Sequence, residues 1–199
     1  MAMRSVVNIK VLCCLVLSVV VAVVTSVEAC AFAVCDNPIS AEMPSQMDDV
    51  AMAKYIVISK EAMTLELYDN SDRLICRFGI AVGKNYGNKQ RSGDMKTPEG
   101  EFYIEQIQSA SHWGHDFNDG KGYIPNCYGN WFMRLKTPPH RGIGIHGTHA
   151  PESIGTRATE GCIRLKNSDL DSLHRMVRVG MPVRIETSLL DQRADGIVE

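Results

Sequence analysis

The sequence predicts a mostly β domain, a β-sandwich or barrel-like sheet with one or few short helices. Three observations predict it. Several short stretches alternate apolar and polar residues, which is the period of half-buried strands. Clusters of Asp, Asn, Ser, Gly and Pro separate them, as turns require. One segment near the C-terminus carries a helical apolar stripe. The chain has 199 residues, enough for one domain plus an extension. At 45% hydrophobic and 22% charged it suits a packed core rather than a disordered chain. Lys and Arg number 21 against 23 Asp and Glu, a net charge of −2 that argues against a nucleic-acid partner.

Residues 1–29 read as a signal peptide. Arg4 and Lys10 precede an apolar run over residues 11–27, broken only by Ser18, Thr25 and Ser26. Small residues follow at Ala29, with a second such exit at Ala31 and Ala33. A basic start, an apolar stretch and a small-residue exit direct export. Cleavage is expected after Ala29, with Ala33 the second choice. The expected location is the periplasm or cell envelope. The alternative is an uncleaved anchor, since the run approaches membrane-spanning length, and only then is the membrane a partner. Lipid attachment at Cys30 is disfavoured by Glu28. Export removes Cys13 and Cys14 and leaves Cys30, Cys35, Cys76, Cys127 and Cys162. That odd number leaves one thiol unpaired or bonded to another molecule.

Residues 30–53 lack periodicity and form a linker or N-terminal arm; the domain occupies 54–187, and 188–199 follow as a C-terminal tail. Residues 55–58 are a β-branched run. Met63, Leu65 and Leu67 alternate with Thr64, Glu66 and Tyr68, and Leu74, Cys76, Phe78, Ile80 and Val82 share one face. With the polar turn 69–72 between them these strands form a hairpin, and Cys76 is a buried small hydrophobe of its apolar row. Residues 83–95 are a loop, and Thr97-Pro98-Glu99-Gly100 a tight turn. A strand follows at 101–106. Residues 109–128 mix Gly, Asn, His, Trp and Tyr without period, and a long irregular segment in a compact domain is more often functional than filler. Strands at 131–135 and 143–146 come next. Asn167 or Ser168 caps a helix with the stripe Leu170, Leu173, Met176 and Val177, ended by Gly180 and Pro182. Residues 183–186 return to strand.

Chemistry concentrates in His146-Gly147-Thr148 and Thr159-Glu160-Gly161-Cys162-Ile163-Arg164. A cysteine attacks as its thiolate, and an ordinary thiol has a pKa of about 8.5. A histidine close in space can take that proton at neutral pH. Gly161 lets the backbone approach a substrate, amide groups around Cys162 suit an oxyanion, and Arg164 suits a carboxylate or fixes the loop. On residue types alone, Cys162 reads more readily as a disulfide partner or buried thiol, and His146 as a structural histidine.

The spaced motif resembles that of the L,D-transpeptidase catalytic domain family (YkuD domain): a His-Gly element, a spacer, Ser/Thr-x-Gly-Cys, then Arg. The likeness extends from about residue 54 to 186 through the hairpin, the 83–95 loop, the Thr97–Gly100 turn, and the last helix and strand. It implies the family's sandwich or barrel-like sheet. It also implies an enzyme acting on peptidoglycan stem peptides, in which a cysteine thioester forms at meso-diaminopimelate with release of the terminal D-alanine. Passage to an amine gives a cross-link or an attached envelope protein; passage to water gives carboxypeptidase or endopeptidase activity. Carried over by position, Cys162 is the nucleophile and His146 the general base. Gly161 and Cys162 build the oxyanion hole, Thr159 orients the loop, Arg164 holds a carboxylate, and Gly147 and Thr148 of the His-Gly element join these oxyanion- and substrate-binding residues. No cofactor or metal is implied.

One departure stands out. Many members carry a second His before Gly-Cys, where this chain has Glu160. A carboxylate there disfavours the thiolate, or points outward toward an ammonium of the acceptor. Two rival readings are a zinc site and a non-catalytic wall-binding module. His140, His146, His149 and Cys162 lack any familiar zinc spacing. A binding module has no need of both His146 and Cys162. Pairing of Cys30 with Cys35, or of Cys76 with Cys127, would leave Cys162 reduced.

Overall fold

The structure, a computed structural model, describes residues 53–117, 120 and 122–198. The expected leader, its cleavage site, the arm up to residue 52, and Cys30 and Cys35 lie outside the described residues. Among the described residues no helix is long and apolar enough to cross a membrane.

The fold is mostly strands around a large sheet, with few helices, as the alternating patterns require. Strand β1 (Tyr55–Ser59) buries Ile56, Val57 and Ile58 together because it is central, parallel to β12 (Pro182–Glu186) on one side and antiparallel to β2 (Thr64–Tyr68) on the other. Strand β2 buries only Leu65 and Leu67. They face Phe78 and Cys76 of β3 (Leu74–Gly79) across the predicted hairpin. The Asp69 carboxylate closes its turn by accepting the N–H groups of Ser71 (2.8 Å) and Arg73 (3.0 Å), the usual use of Asp in a turn.

Strand β5 (Gly100–Ser109) runs three residues past its predicted end and pairs antiparallel with both β12 and β8 (Trp131–Lys136). Strand β8 pairs antiparallel with β9 (Gly144–His146), and β9 parallel with β11 (Ile163–Arg164). The sheet order is therefore β11-β9-β8-β5-β12-β1-β2-β3. Its two ends meet: Ala81, just past β3, exchanges both backbone hydrogen bonds with Arg164 of β11, each 2.9 Å. The sheet is thus curled on itself. The short strands β4 (Val82–Gly83) and β10 (Arg157–Thr159) pair parallel beside that junction. Strands β6 (His115–Asp116) and β7 (Tyr123–Ile124) form a small ribbon inside the segment expected to be irregular. The core includes Ile56, Ile58, Leu65, Ile104, Met133, Ile145 and Ile163, and each such side chain contributes about 1.5–3 kcal/mol through burial.

Helix α1 (Asn167–His174) buries Leu170 and Leu173 of the predicted stripe. Its cap differs from expectation. The N-cap residue is Lys166, without a side-chain bond, because the Asn167 side chain instead accepts the N–H of Thr148 at 2.8 Å. The helix also stops short of Gly180, where His174 stacks on Trp131 at 3.6 Å. Trp131, expected in the core, is half-buried and packs against it.

The segment expected to be a tail folds. Ser188 and Asp191 make a reciprocal capping box for helix α2 (Leu189–Ala194), and Asp191 is fully buried. Of the two pairings considered, Cys76 with Cys127 is not formed. Cys76 sits in the inward row of β3, and Cys127 is buried after β7.

Candidate active site

The loop between β10 and β11 is built by hydroxyl groups. Thr159 Oγ1 accepts the Gly161 N–H (3.1 Å) and donates to the Cys162 carbonyl (2.6 Å). From across the sheet end Thr97 Oγ1 donates to the Gly161 carbonyl (3.0 Å) and accepts the Gly83 N–H (2.8 Å). Gly161 has φ +129°, and a Cβ there would lie 2.7 Å from the Lys96 carbonyl oxygen. Only glycine satisfies both constraints. The result presents Cys162, half-buried, with Sγ 3.4 Å from the Gly142 carbonyl oxygen, to which the thiol donates.

His146 ends β9, where it pairs with Phe132 of β8 and Arg164 of β11. Sheet register thus ties the histidine to the residue two positions beyond Cys162. Nδ1 lies 2.7 Å from the Gly147 carbonyl oxygen. A carbonyl only accepts, so Nδ1 carries the proton and Nε2 presents its lone pair. The Tyr128 ring meets the imidazole edge-on at 4.8 Å, and Phe132 stacks on it at 5.8 Å. Burial holds His146 down at about 3, assisted by the charges of Arg164 and His149 and opposed by the Gly147 bond. Burial also raises the Cys162 thiol, and Glu160 adds to this, while a backbone bond at Gly144 and the cations Lys89 and Arg164 pull the other way. At neutral pH the pair therefore rests as thiol and neutral imidazole.

Both residues line one cavity of about 590 Å³. Thr159, Glu160 and Arg164 line it too. Arg164 is buried; its Nη1 donates to Ser153 Oγ (3.0 Å), and its Nε has no hydrogen-bond partner. The other sequence-derived residues act from behind. Gly147 donates its N–H to the Tyr128 carbonyl (2.7 Å), and a Cβ there would lie 2.2 Å from Asn167 Oδ1. Thr148 is held by Asn167 and accepts the Ala150 N–H at 2.8 Å, beside a second cavity that His149 also lines. The N–H of Gly161, expected at an oxyanion, is engaged by Thr159 Oγ1. Of the residues weighed for a rival zinc site, His140, His146 and Cys162 line this cavity but His149 does not.

Sequence reasoning missed one wall of the cavity. Lys89, Ser92, Gly93 and Met95 come from the 84–99 loop. Asp94 shapes that loop: it pairs with Lys89 (2.7 Å) and accepts the N–H groups of Gln90 (2.7 Å), Arg91 (3.0 Å) and Lys96 (3.1 Å). Asp191 Oδ1 accepts the Gly87 N–H (2.7 Å), and Asp195 Oδ2 that of Asn88 (2.6 Å). Behind them lies buried Lys60, paired with Glu99 and, at 3.2 Å, with Asp191, which Arg157 also meets at 2.7 Å. Another part of the lining brings Phe117 and Tyr128, and beside it His115 Nε2 lies 3.4 Å from Glu160 Oε2. The Ser188-x-x-Asp191 capping pattern was the one local signal for the missed clamp.

Residues 53–185 match the L,D-transpeptidase catalytic domain family, YkuD. The chain is similar to L,D-transpeptidase YkuD of Bacillus licheniformis, 35% identical over 130 residues, or 65% of this chain and 64% of that protein. It is 33% identical to YkuD of Bacillus subtilis over 143 residues, 72% of each chain. The first match thus leaves over a third of that relative's length unaligned. Among solved structures, the catalytic domain of the Enterococcus faecium L,D-transpeptidase superposes with a TM-score of 0.50 at 23% identity, covering 69% of this chain and 100% of that one. L,D-transpeptidase 3 of Mycobacterium tuberculosis, solved with a faropenem-derived adduct, gives 0.51 at 16% identity, covering 67% and 60%. At these identities the structural likeness is one of fold. The Cys-His cavity at the seam of a curled sheet, together with the family match over residues 53–185, leads to one conclusion: the chain belongs to the L,D-transpeptidase catalytic domain family.

Proposed function

We propose that this protein is an L,D-transpeptidase acting through a Cys162 thioester on peptidoglycan stem tetrapeptides, outside the cytoplasm in the periplasm or cell envelope. One observation carries the reading: His146, its Nδ1 held by the Gly147 carbonyl so that Nε2 is left as the acceptor, lines the same cavity as half-buried Cys162. His146 Nε2 takes the thiol proton as sulfur attacks the carbonyl of the meso-diaminopimelate–D-alanine bond. With Gly161 engaged, the Cys162 amide is the candidate oxyanion donor. The proton then passes to the departing D-alanine amine, leaving the thioester. Arg164, buried with an unpartnered Nε, suits a stem-peptide carboxylate. The thioester is resolved by an amine, on a second stem peptide or an envelope protein, or by water.

The test is mass analysis of tetrapeptide muropeptides incubated with the protein under reducing conditions, beside Cys162→Ala. Cross-linked products made only by the unmutated protein are expected. Tripeptide alone would keep the thioester and make the protein a carboxypeptidase. No adduct and no turnover would leave the wall-binding reading.

A further inference from the structure

The cavity is lined by three strong cations and, among its described lining residues, a single carboxylate. Lys89, Arg141 and Arg164 supply the positive charge and Glu160 the negative. Arg141 and Arg164 suit the carboxylates of a stem-peptide donor. Glu160 does not. It stands two residues from the nucleophile, and its charge disfavours the thiolate on which acylation depends. Lys89 is already neutralised by Asp94 at 2.7 Å, whereas Glu160 meets His115 at 3.4 Å with 40% of its side chain exposed. It remains open to an incoming group.

The cost of that carboxylate falls on one half of the reaction only. Once Cys162 is acylated, the sulfur is a neutral thioester, and a neighbouring negative charge no longer opposes it. An acceptor then approaches, as a protonated amine or as water. A carboxylate at the cavity rim attracts the ammonium and gives neutral water nothing comparable.

We propose that Glu160 selects a cationic amine as acyl acceptor and turns the Cys162 thioester toward aminolysis and away from hydrolysis. The inference rests on the thioester reading above. Glu160 holds the ammonium beside the acyl carbon. The ammonium loses one proton to solvent, its nitrogen bonds the acyl carbon, and the C–S bond breaks. A second proton leaves the nitrogen and returns to sulfur by way of His146. The products are the amide and the thiol.

The test forms the thioester from a tetrapeptide donor and reads, by mass, its partition between amine and water. Two acceptors are compared: a diaminopimelate tripeptide, which carries an ammonium, and hydroxylamine, which is uncharged at neutral pH. Glu160→Gln should lower the aminolysis-to-hydrolysis ratio for the tripeptide about fivefold, the scale of one exposed ion pair, and raise its KM. The hydroxylamine ratio and the rate of thioester formation should not fall. Glu160→Asp should retain the preference, and so should His115→Gln, which removes the contact but keeps the carboxylate. An unchanged tripeptide ratio in Glu160→Gln, an equal fall for hydroxylamine, or an equal loss in His115→Gln would overturn the proposal. A thioester that forms but ignores Glu160 would remove this inference alone. No thioester on the unmutated protein would remove the parent reading as well.

Discussion

The two walls of the cavity are made in opposite ways. The 84–99 wall is held by carboxylates: Asp94 from within, and Asp191 and Asp195 from helix α2. The part of the wall that brings Phe117 and Tyr128 rests on rings. Trp113 meets Phe132 at 5.4 Å, His115 meets Phe117 at 4.6 Å, and Phe117 meets His149 at 5.4 Å. A charge-assisted bond fixes one donor to one acceptor at short range, whereas ring contacts act over 4.5–7 Å and tolerate several orientations. One side of the cavity is thus anchored in a single geometry and the other can accommodate.

Acid should separate the walls most strongly. Burial opposes ionisation of Asp94, yet Lys89 and three backbone N–H groups outweigh it and hold the carboxyl well below the usual range. Asp191 is likewise held down by Ser188, Gly87 and Lys60 against its burial. Their stabilisation is complete above the ordinary carboxylate value of about 4 and is lost as pH falls through the folded values. His146 adds loss in the same direction, since the unfolded chain takes a proton near 6.5 and the folded one only near 3. Thermal unfolding followed from neutral pH to about 3 should show a steady fall in Tm, and hydrogen exchange at residues 87–96 should rise before that at 123–128.

Asp191→Ala should cost about 3–5 kcal/mol in urea unfolding, because it leaves Lys60 and Arg157 buried without that counter-charge. Asp94→Ala should cost about 2–3 kcal/mol, with lost protection at the amides of Gln90, Arg91 and Lys96. Phe117→Leu should cost only about 0.5–1.5 kcal/mol and leave those amides protected. Equal loss of protection at both walls in any of these variants would dissolve the distinction.

What the sequence made legible was local. The hairpin around Asp69 and the apolar stripe of α1 are periodic patterns, and His146 and Cys162 belong to a spaced motif. The charged wall was not legible, because its tethers join Gly87 to Asp191 and Asn88 to Asp195 across 104 and 107 residues. No window of sequence contains both partners. Asn167 misled for a similar reason: a good cap residue was claimed by Thr148, 19 positions away. Helix α2 is the exception, since its Ser188–Asp191 box is local and still read as tail. A six-residue helix has little apolar periodicity to announce it.

The pairing of β1 with β12 sets Ile56 against Val183 and Ser59 against Glu186. A central strand of the sheet thus waits for a partner from the far end of the chain. Contacts so distant in sequence close slowly. As the polypeptide lengthens from its N-terminus, β1 and β2 can form their hairpin at once, but the sheet stays divided until residue 186 is made. Synthesis order therefore builds in a delay, and a shortened chain lacking its last strand would expose a row of unmet backbone groups along β1.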